Sequence, residues 1–383
     1  MKIQLRVLCV AVAAAFAIPA HAEIAIDVIG GYEVSLEGLM QAEGDWFHND
    51  VADLNGAGVL DGKDTEFDMR RSEVILKGKG TRFDWTVGFD GKANKWLDNN
   101  LKWKLGTNYV IAGQFKQPNS MEELSSTRHN DFIAKAMVTN LFGIARRTGV
   151  AYGDDHANWG YTLNWFGREL TRNLGEGAGF GGRAYWAPLY GTGDILHFGI
   201  SAVDYDTHKD TSRPRVRPDA DLATFRLSDT GSLTDADRQR TFGAEALWVT
   251  GPFKVQSEYM RSRVTRYAHP DFTGDSWYVS GVWNLSGETW GYKSGVPTTP
   301  FPNEPESGMW QLGLRYDKTD LNDLPVNGGE EHNLTVGVNW YLRSNFKLAL
   351  NYVKVSSTKF SSALRTNVDD NPNIVEARAQ FYW

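Results

Sequence analysis

The chain has 383 residues, with 47 acidic against 40 basic side chains, a formal net charge of −7 and 41% hydrophobic residues. That balance disfavours a nucleic-acid partner, and the one cysteine, Cys9, lies so near the start that the rest of the chain holds neither disulfide nor thiolate. Beyond the first residues no stretch approaches the roughly 20 apolar residues a membrane-spanning helix needs, so any membrane crossing falls to strands.

Lys2 and Arg6 precede an apolar run from Val7 to Ile18, and Ala20, His21 and Ala22 form the small-x-small pattern that a signal peptidase cuts. Residues 1–22 are therefore expected to be a secretory signal, with the mature chain starting at Glu23 and forming one domain over 23–383. From there a two-residue period recurs, which predicts strands. Gly31 to Met40 and Phe67 to Lys79 are the first two, separated by the Gly- and Asp-rich stretch Asp53 to Asp64. After Gly80, the row Phe83, Trp85, Val87 and Phe89 alternates with Asp84, Thr86, Gly88 and Asp90. Leu101, Trp103 and Leu105 oppose Lys102 and Lys104, and a turn at Gly106 leads into Tyr109 to Lys116. A long connection, Gln117 to Val138, precedes Leu141 to Tyr152, Trp159 to Trp165, Gly181 to Ala187 and Leu196 to Ala202. The longest break, Thr207 to Arg240, is rich in Asp, Arg and Pro. The period resumes in Phe242 to Trp248, Phe253 to Val264, Trp277 to Trp283 and Trp310 to Tyr316.

The pattern is clearest near the end. Leu334, Val336, Val338, Trp340 and Leu342 oppose Asn333, Thr335, Gly337, Asn339, Tyr341 and Arg343; Phe346 to Tyr352 and the closing Val375 to Trp383 repeat it. Alternation alone fits both a soluble sandwich and a membrane barrel. Three features favour the barrel. Mean hydropathy is negative although aromatics reach 13%, as expected when only half of each strand meets lipid. Connections alternate between tight ones at Gly80, Gly106, Gly251 and Ser344 and long ones over 41–65, 117–138, 207–240 and 358–372. Trp159, Trp165, Trp283, Trp340, Tyr341, Tyr382 and Trp383 stand near strand ends, where aromatic girdles meet the lipid headgroups. The connection from Leu285 to Pro305 breaks the alternation, being long where a tight turn belongs. The expected fold is all-β, a transmembrane antiparallel barrel of about sixteen strands.

Several stretches resemble the phosphate-selective porin O and P family of Gram-negative outer membranes. They are Asp68 to Arg71 leading to Lys77 and Gly78; Gly113 to Pro118 followed by Glu122 to Thr127; and Thr241 to Gly243 with Gly251 to Met260. Most specific are Trp310 to Asp323 and Asn333 to Val355. The resemblance implies a sixteen-stranded trimeric barrel in the outer membrane, with a third loop folded into the pore. It points to Arg70 and Arg71 on the second strand, Asp90 on the third, and Ser125, Ser126 and Arg128 in the third loop as candidate pore residues. Arg128 stands near a place where the family carries lysine.

An anion crossing a low-dielectric wall needs fixed positive charge and hydrogen-bond donors along its path. Guanidinium forks suit phosphate oxygens. Arg213, Arg215 and Arg217 are spaced by two, so an extended segment would put them on one side, with Arg226 further along; the plainer alternative is a solvated basic loop balanced by Asp219 and Asp221. Parity puts Arg71 and Lys116 in the lumen, along with Arg82, Lys92 and Arg343. Arg70 falls on the lipid row with Val74 and Leu76, so it must bulge inward, sit at the rim or face another subunit. Asp53, Asn55, Gly58, Asp61 and Asp64 have part of a calcium-loop spacing, but Ala57 occupies a ligand place. No metal or other cofactor is expected, and no nucleophile motif marks an enzyme. The expected function is passive diffusion of small anions, phosphate or polyphosphate first. The alternatives are a weakly selective solute porin and a surface adhesin or receptor barrel.

Overall fold

A computed structural model describes residues 24–29, 31–56, 64–171 and 177–383. The expected signal and Glu23, with Gly58 and Asp61 of the Asp-rich loop, lie outside those residues.

The wall is a ring of antiparallel strands: β1 (Tyr32–His48), β2 (Thr65–Lys79), β3 (Phe83–Asp90), β4 (Lys95–Leu105), β5 (Asn108–Lys116), β6 (Arg146–Asp155), β7 (Trp159–Phe166) and β8 (Gly179–Gly191). The second half is β9 (Asp194–Asp206), β10 (Ala236–Thr250), β11 (Phe253–Arg266), β12 (Phe272–Asn284), β13 (Met309–Asp323), β14 (Val326–Leu342), β15 (Phe346–Ser361) and β16 (Asn373–Tyr382). β16 closes the ring on β1, from Leu39 opposite Tyr382 to His48 opposite Asn373. The sheet comprises 18 hydrogen-bonded pieces. Two of these, Ile24–Ile29 along β1 and Thr366–Asp370 along β15, extend the β16 position instead of adding one. The barrel therefore has 16 strands, one for each strand expected from the alternation.

The wall is polar inside and apolar outside. Along β14, Asn333, Thr335, Gly337, Asn339 and Tyr341 are buried toward the lumen, while Leu334 and Val336 are exposed. Phe180 and Leu163 are 64% and 59% exposed on the outer face, whereas Glu376 and Arg315 are 0% and 1% exposed within. A soluble protein would reverse that order; hydrocarbon outside a wet lumen requires it. Tyr341 and Tyr382 depart from the expected girdle. Both lie on the lumenal row, 1% exposed, with rings against His129. Trp310 and Trp340 stack outside, as a girdle pair does.

Tight turns and both ends of the wall share one rim, which the barrel rule makes periplasmic. The long connection on that rim, residues 285–308, has a physical explanation: it folds up into the barrel mouth. Its hairpin Gly291–Lys293 with Val296–Thr298 is held by Tyr292 Oη at 2.6 Å from His197 Nδ1 and by Arg183 donating to Gly295 O at 2.6 Å. Trp290 is fully buried, with Lys254 over its ring. The opposite, extracellular rim carries the long loops. Two of these, the third loop L3 (residues 117–145) and the fifth loop L5 (residues 207–235), turn into the lumen.

Candidate functional site

L3 leaves β5 at Lys116, whose Nζ donates to Glu123 O at 2.5 Å and Ser125 O at 2.9 Å. Its first helical turn, α1 (Met121–Leu124), is capped by Ser120 Oγ accepting from Glu123 N at 3.1 Å. Glu258 of β11 accepts the backbone N–H groups of Met121 and Glu122 at 3.0 and 2.7 Å. A loop buried in a barrel must find donors for its carbonyls, and the far wall supplies them. Gln380 donates to Arg128 O (2.7 Å), Lys347 to Asn130 O (2.5 Å), Asn339 to Asp131 O (2.6 Å), Arg378 to Ile133 O (2.7 Å) and Arg315 to Ala134 O (2.9 Å). Gly313 and Gly337 lie opposite each other on β13 and β14. A Cβ there would sit 3.0 and 3.2 Å from the Phe132 ring, so the glycine pair makes the seat for the loop's apolar anchor. L3 returns through α2 (Met137–Phe142) to β6.

The face of L3 that looks back toward β1–β6 is lined by charges that are mostly paired. Arg128 meets Glu37 at 2.7 Å, and Lys77 meets the same carboxylate at 2.5 Å. Arg71 meets Glu73 at 2.9 Å, and Arg146 meets Asp98 at 2.8 Å. Ser126 is exposed between them. Ser125 Oγ donates to Met121 O at 2.9 Å, closing α1. Asp90 caps a turn: it accepts the N–H groups of Ser72, Lys92 and Ala93 at 3.2, 3.0 and 3.2 Å and is 1% exposed.

Arg70 reaches the lumen through a bulge. The β1–β2 register slips between Gln41 and Ala42, pairing them with Arg71 and Met69 and leaving Arg70 as the extra residue. Its Nε lies 3.0 Å from Asp221 of L5, which Arg378 also meets at 2.9 Å.

L5 is folded by two short ladders, Thr211–Ser212 with Leu233–Thr234 and Arg215–Val216 with Ser228–Asp229. Its tip dips to the wall, where Arg315 meets Asp219 at 3.1 Å. The expected alternation is present: Pro214, Val216 and Pro218 are buried, while Arg213, Arg215 and Arg217 face the open side. Arg213 is paired with Asp229 at 2.6 Å. Arg217 donates to Ala223 O at 2.6 Å and Arg226 to Thr224 O at 3.0 Å. Among the described residues, Arg215, Arg217 and Arg226 have no carboxylate at ion-pair distance. Burial, then the neighbouring Arg217 and Arg215, push Arg226 below the ordinary guanidinium range; burial does the same to Arg217, against the pull of Asp221. Such a cluster favours an anion between its members.

The structure thus brings Arg71, Lys116, Ser125, Ser126 and Arg128 to one level and Arg213, Arg215, Arg217 and Arg226 to another, with Arg70 joining L5 to the wall. Asp90 stands apart in its turn. Arg82, Lys92 and Arg343 lie in turns rather than on the lumenal wall, because the strands end before them. Sequence reasoning did not single out Arg378, Glu37 or Arg146, and weighed Asp221 only as a counter-charge to the L5 arginines. Arg378 lies on the buried, lumenal row of β16, but the loop contacts that give it a role carry no local signal.

The family model described as phosphate-selective porin O and P matches residues 40–383. An uncharacterized protein of Caulobacter vibrioides is 27% identical over 295 residues, covering 72% of this chain and 59% of its own length. Porin O of Pseudomonas aeruginosa is 26% identical over 234 residues, covering 53% and 52%. The chain thus spans little more than half the length of these curated relatives. In fold it is similar to OmpT of Vibrio cholerae at TM-score 0.61 and 12% identity, over 94% of this chain and 99% of that one. A trimer form of OmpT matches at 0.58 and 12%, over 92% and 100%. The anion-selective porin from Comamonas acidovorans matches at 0.56 and 11%, over 92% and 100%.

Proposed function

The chain belongs to the phosphate-selective porin O and P family of the Gram-negative outer membrane, and on that premise we propose that it is a porin through which small anions, phosphate or polyphosphate among them, diffuse passively into the periplasm. The observation that carries the reading is the open row of Arg215, Arg217 and Arg226 in L5, three guanidiniums with no carboxylate at ion-pair distance among the described residues, above the level where L3 crosses the lumen. Guanidinium forks match phosphate oxygens, and several partial sites keep a bound anion mobile. Arg71, Lys116, Ser125, Ser126 and Arg128 form the next level. A signal over residues 1–22 that is removed on export, and assembly as a homotrimer, belong to the same proposal; OmpT, similar in fold, has a trimer form.

One observation favours a second reading, a weakly selective solute porin. At the L3 level the cations are neutralised, with Arg71, Lys77, Arg128 and Arg146 each against a carboxylate. Planar-bilayer recording separates the two readings. The anion reading expects a reversal potential of anionic sign in a potassium chloride gradient and a fall in chloride current on adding inorganic phosphate. A potential near zero and a current indifferent to phosphate would leave the weakly selective channel.

A further inference from the structure

Three carboxylates meet on the lumenal wall where β1 and β16 close the barrel, just below the extracellular rim. They are Glu43 and Asp45 of β1 and Glu376 of β16, exposed by 4%, 0% and 0%. One oxygen from each lies within 4.8 Å of the other two. Asp45 stands directly across the strand pair from Glu376, a position in which like charges repel.

Hydrogen bonding does not relieve the repulsion. Glu43 Oε2 accepts from Arg378, and Asp45 Oδ2 accepts the Leu222 N–H at 3.2 Å. Glu376 Oε2 accepts from the Asn351 amide at 3.3 Å, a donor it loses when that amide is turned to satisfy Leu350 O at 3.1 Å and the Ile133 N–H at 2.9 Å. Glu43 Oε1, Asp45 Oδ1 and Glu376 Oε1 are buried with no partner. A neutral oxygen on the same lumenal row is in the same condition: Gln41, fully buried, donates its Nε2 to Gln380 and leaves its own Oε1 unpartnered. The charge count agrees. Among the described residues, Glu43, Asp45, Glu376 and Asp221 have only Arg70 and Arg378 at ion-pair distance, two cations fewer than carboxylates, with Arg71 and Arg217 further from Asp221. Buried, unpaired carboxylates carry a large desolvation cost.

We propose that Glu43, Asp45 and Glu376 bind calcium. The ligands are all hard oxygens, as calcium takes. An all-protein set of three carboxylates suits calcium, which takes many oxygens in irregular geometry, whereas magnesium keeps several waters, demands a strict octahedron and usually takes one or two carboxylates. The ion supplies two positive charges at contact distance, where the arginines leave these oxygens unpaired. Because Asp45 also holds Leu222 of L5, and Arg217 bonds the next residue, Ala223, a filled site steadies the root of the arginine row. That last consequence alone rests on the anion-porin reading.

The test uses the full chain, folded in detergent, stripped with chelator and titrated with calcium chloride or magnesium chloride in a calorimeter. Wild type is expected to bind one calcium per chain, with a dissociation constant on the order of 0.1–1 mM as in extracellular modules, and magnesium more weakly. Glu376→Gln, close in shape, should weaken calcium binding by about tenfold or more, and Asp45→Asn should do the same. The heat-dependent gel mobility of intact barrels shows that each variant is folded. Calcium binding to wild type that is absent, matched by folded Glu376→Gln, or equalled by magnesium overturns the site. None of these readouts uses conductance, so failure of the porin reading leaves the result standing, and the reverse.

Discussion

Replacing Arg215, Arg217 and Arg226 together with glutamine removes the open cationic row of L5 while leaving the paired level of L3 intact. An anion passing about 5 Å from one guanidinium in a water-like dielectric gains about 0.8 kcal/mol, which physiological salt screens to about half. Three such charges amount to about 1.3 kcal/mol, or roughly tenfold in local anion occupancy. In planar bilayers under a potassium chloride gradient, the triple variant should therefore shift its reversal potential toward zero, and half-block by phosphate should need roughly tenfold more phosphate. Arg343→Gln, which removes a cation beside Glu306 on the periplasmic rim, is the control for net charge and should leave both quantities unchanged. A triple variant that matches wild type in both, with native gel mobility, refutes the assignment of the row. An equal effect from Arg343→Gln would show that only total charge matters.

Arg128→Ala strips Glu37 of one of its two cations and should lower anion selectivity; an unchanged reversal potential removes Arg128 from the mechanism. Lys116→Met takes the donor from two carbonyls of L3 and should loosen the loop by about 1–3 kcal/mol, seen as flickering single-channel current and faster protease cleavage within 117–145 while the barrel keeps its gel mobility. Steady current and unaltered cleavage would assign the seating of L3 to the far wall alone. His129 is held down to about 3 by burial first and then by Lys347 and Arg128. Its unfolded value is about 6.5, so the released loop binds the proton more tightly than the seated one: stability of the seat is complete above that value and falls as pH drops from 6.5 toward 3. His129→Gln should flatten that fall in protease protection of L3, and identical acid profiles would contradict the burial argument.

What the sequence made legible is whatever a period of two can carry. The lumenal row of β14, the lumenal side of Arg71 and the shared face of Arg213, Arg215 and Arg217 all follow from counting positions, because a strand's side-chain direction is local. Counting failed where the strand ended or slipped. Arg82, Lys92 and Arg343 were carried past the last paired residue into turns, and the bulge that brings Arg70 inward depends on register with β1, which no single strand records. Asp90 looked like a pore carboxylate, yet its acceptors' geometry ties it to Ser72, Lys92 and Ala93. The inward path of residues 285–308 was visible only as a broken rule, since its hold on Arg183 and His197 spans roughly a hundred residues of chain.

On the proposed anion-porin reading, the same distinction separates cations that build the pore from those that would select its contents. Lys347, Arg315 and Arg378 are buried, each donates to a carbonyl of L3, and the two arginines also bond carboxylates of the wall and of L5; an anion could reach them only by unseating the loop. Arg71, Arg128 and Arg146 are partly exposed but each shares its charge with a carboxylate, so on that reading they would orient a passing anion without holding it deeply. On that reading Arg215, Arg217 and Arg226, which among the described residues have no carboxylate at ion-pair distance, would raise the local anion concentration before the narrow level is reached. Capture in the wide vestibule and weak binding at the crossing loop let flux rise with attraction, because the step that attracts is not the step from which the anion must escape. A cation freed at the crossing, as Glu37→Gln would free Arg128 and Lys77, should therefore deepen phosphate block while lowering chloride conductance. A gain in both block and conductance would mean that attraction and escape occur at one site.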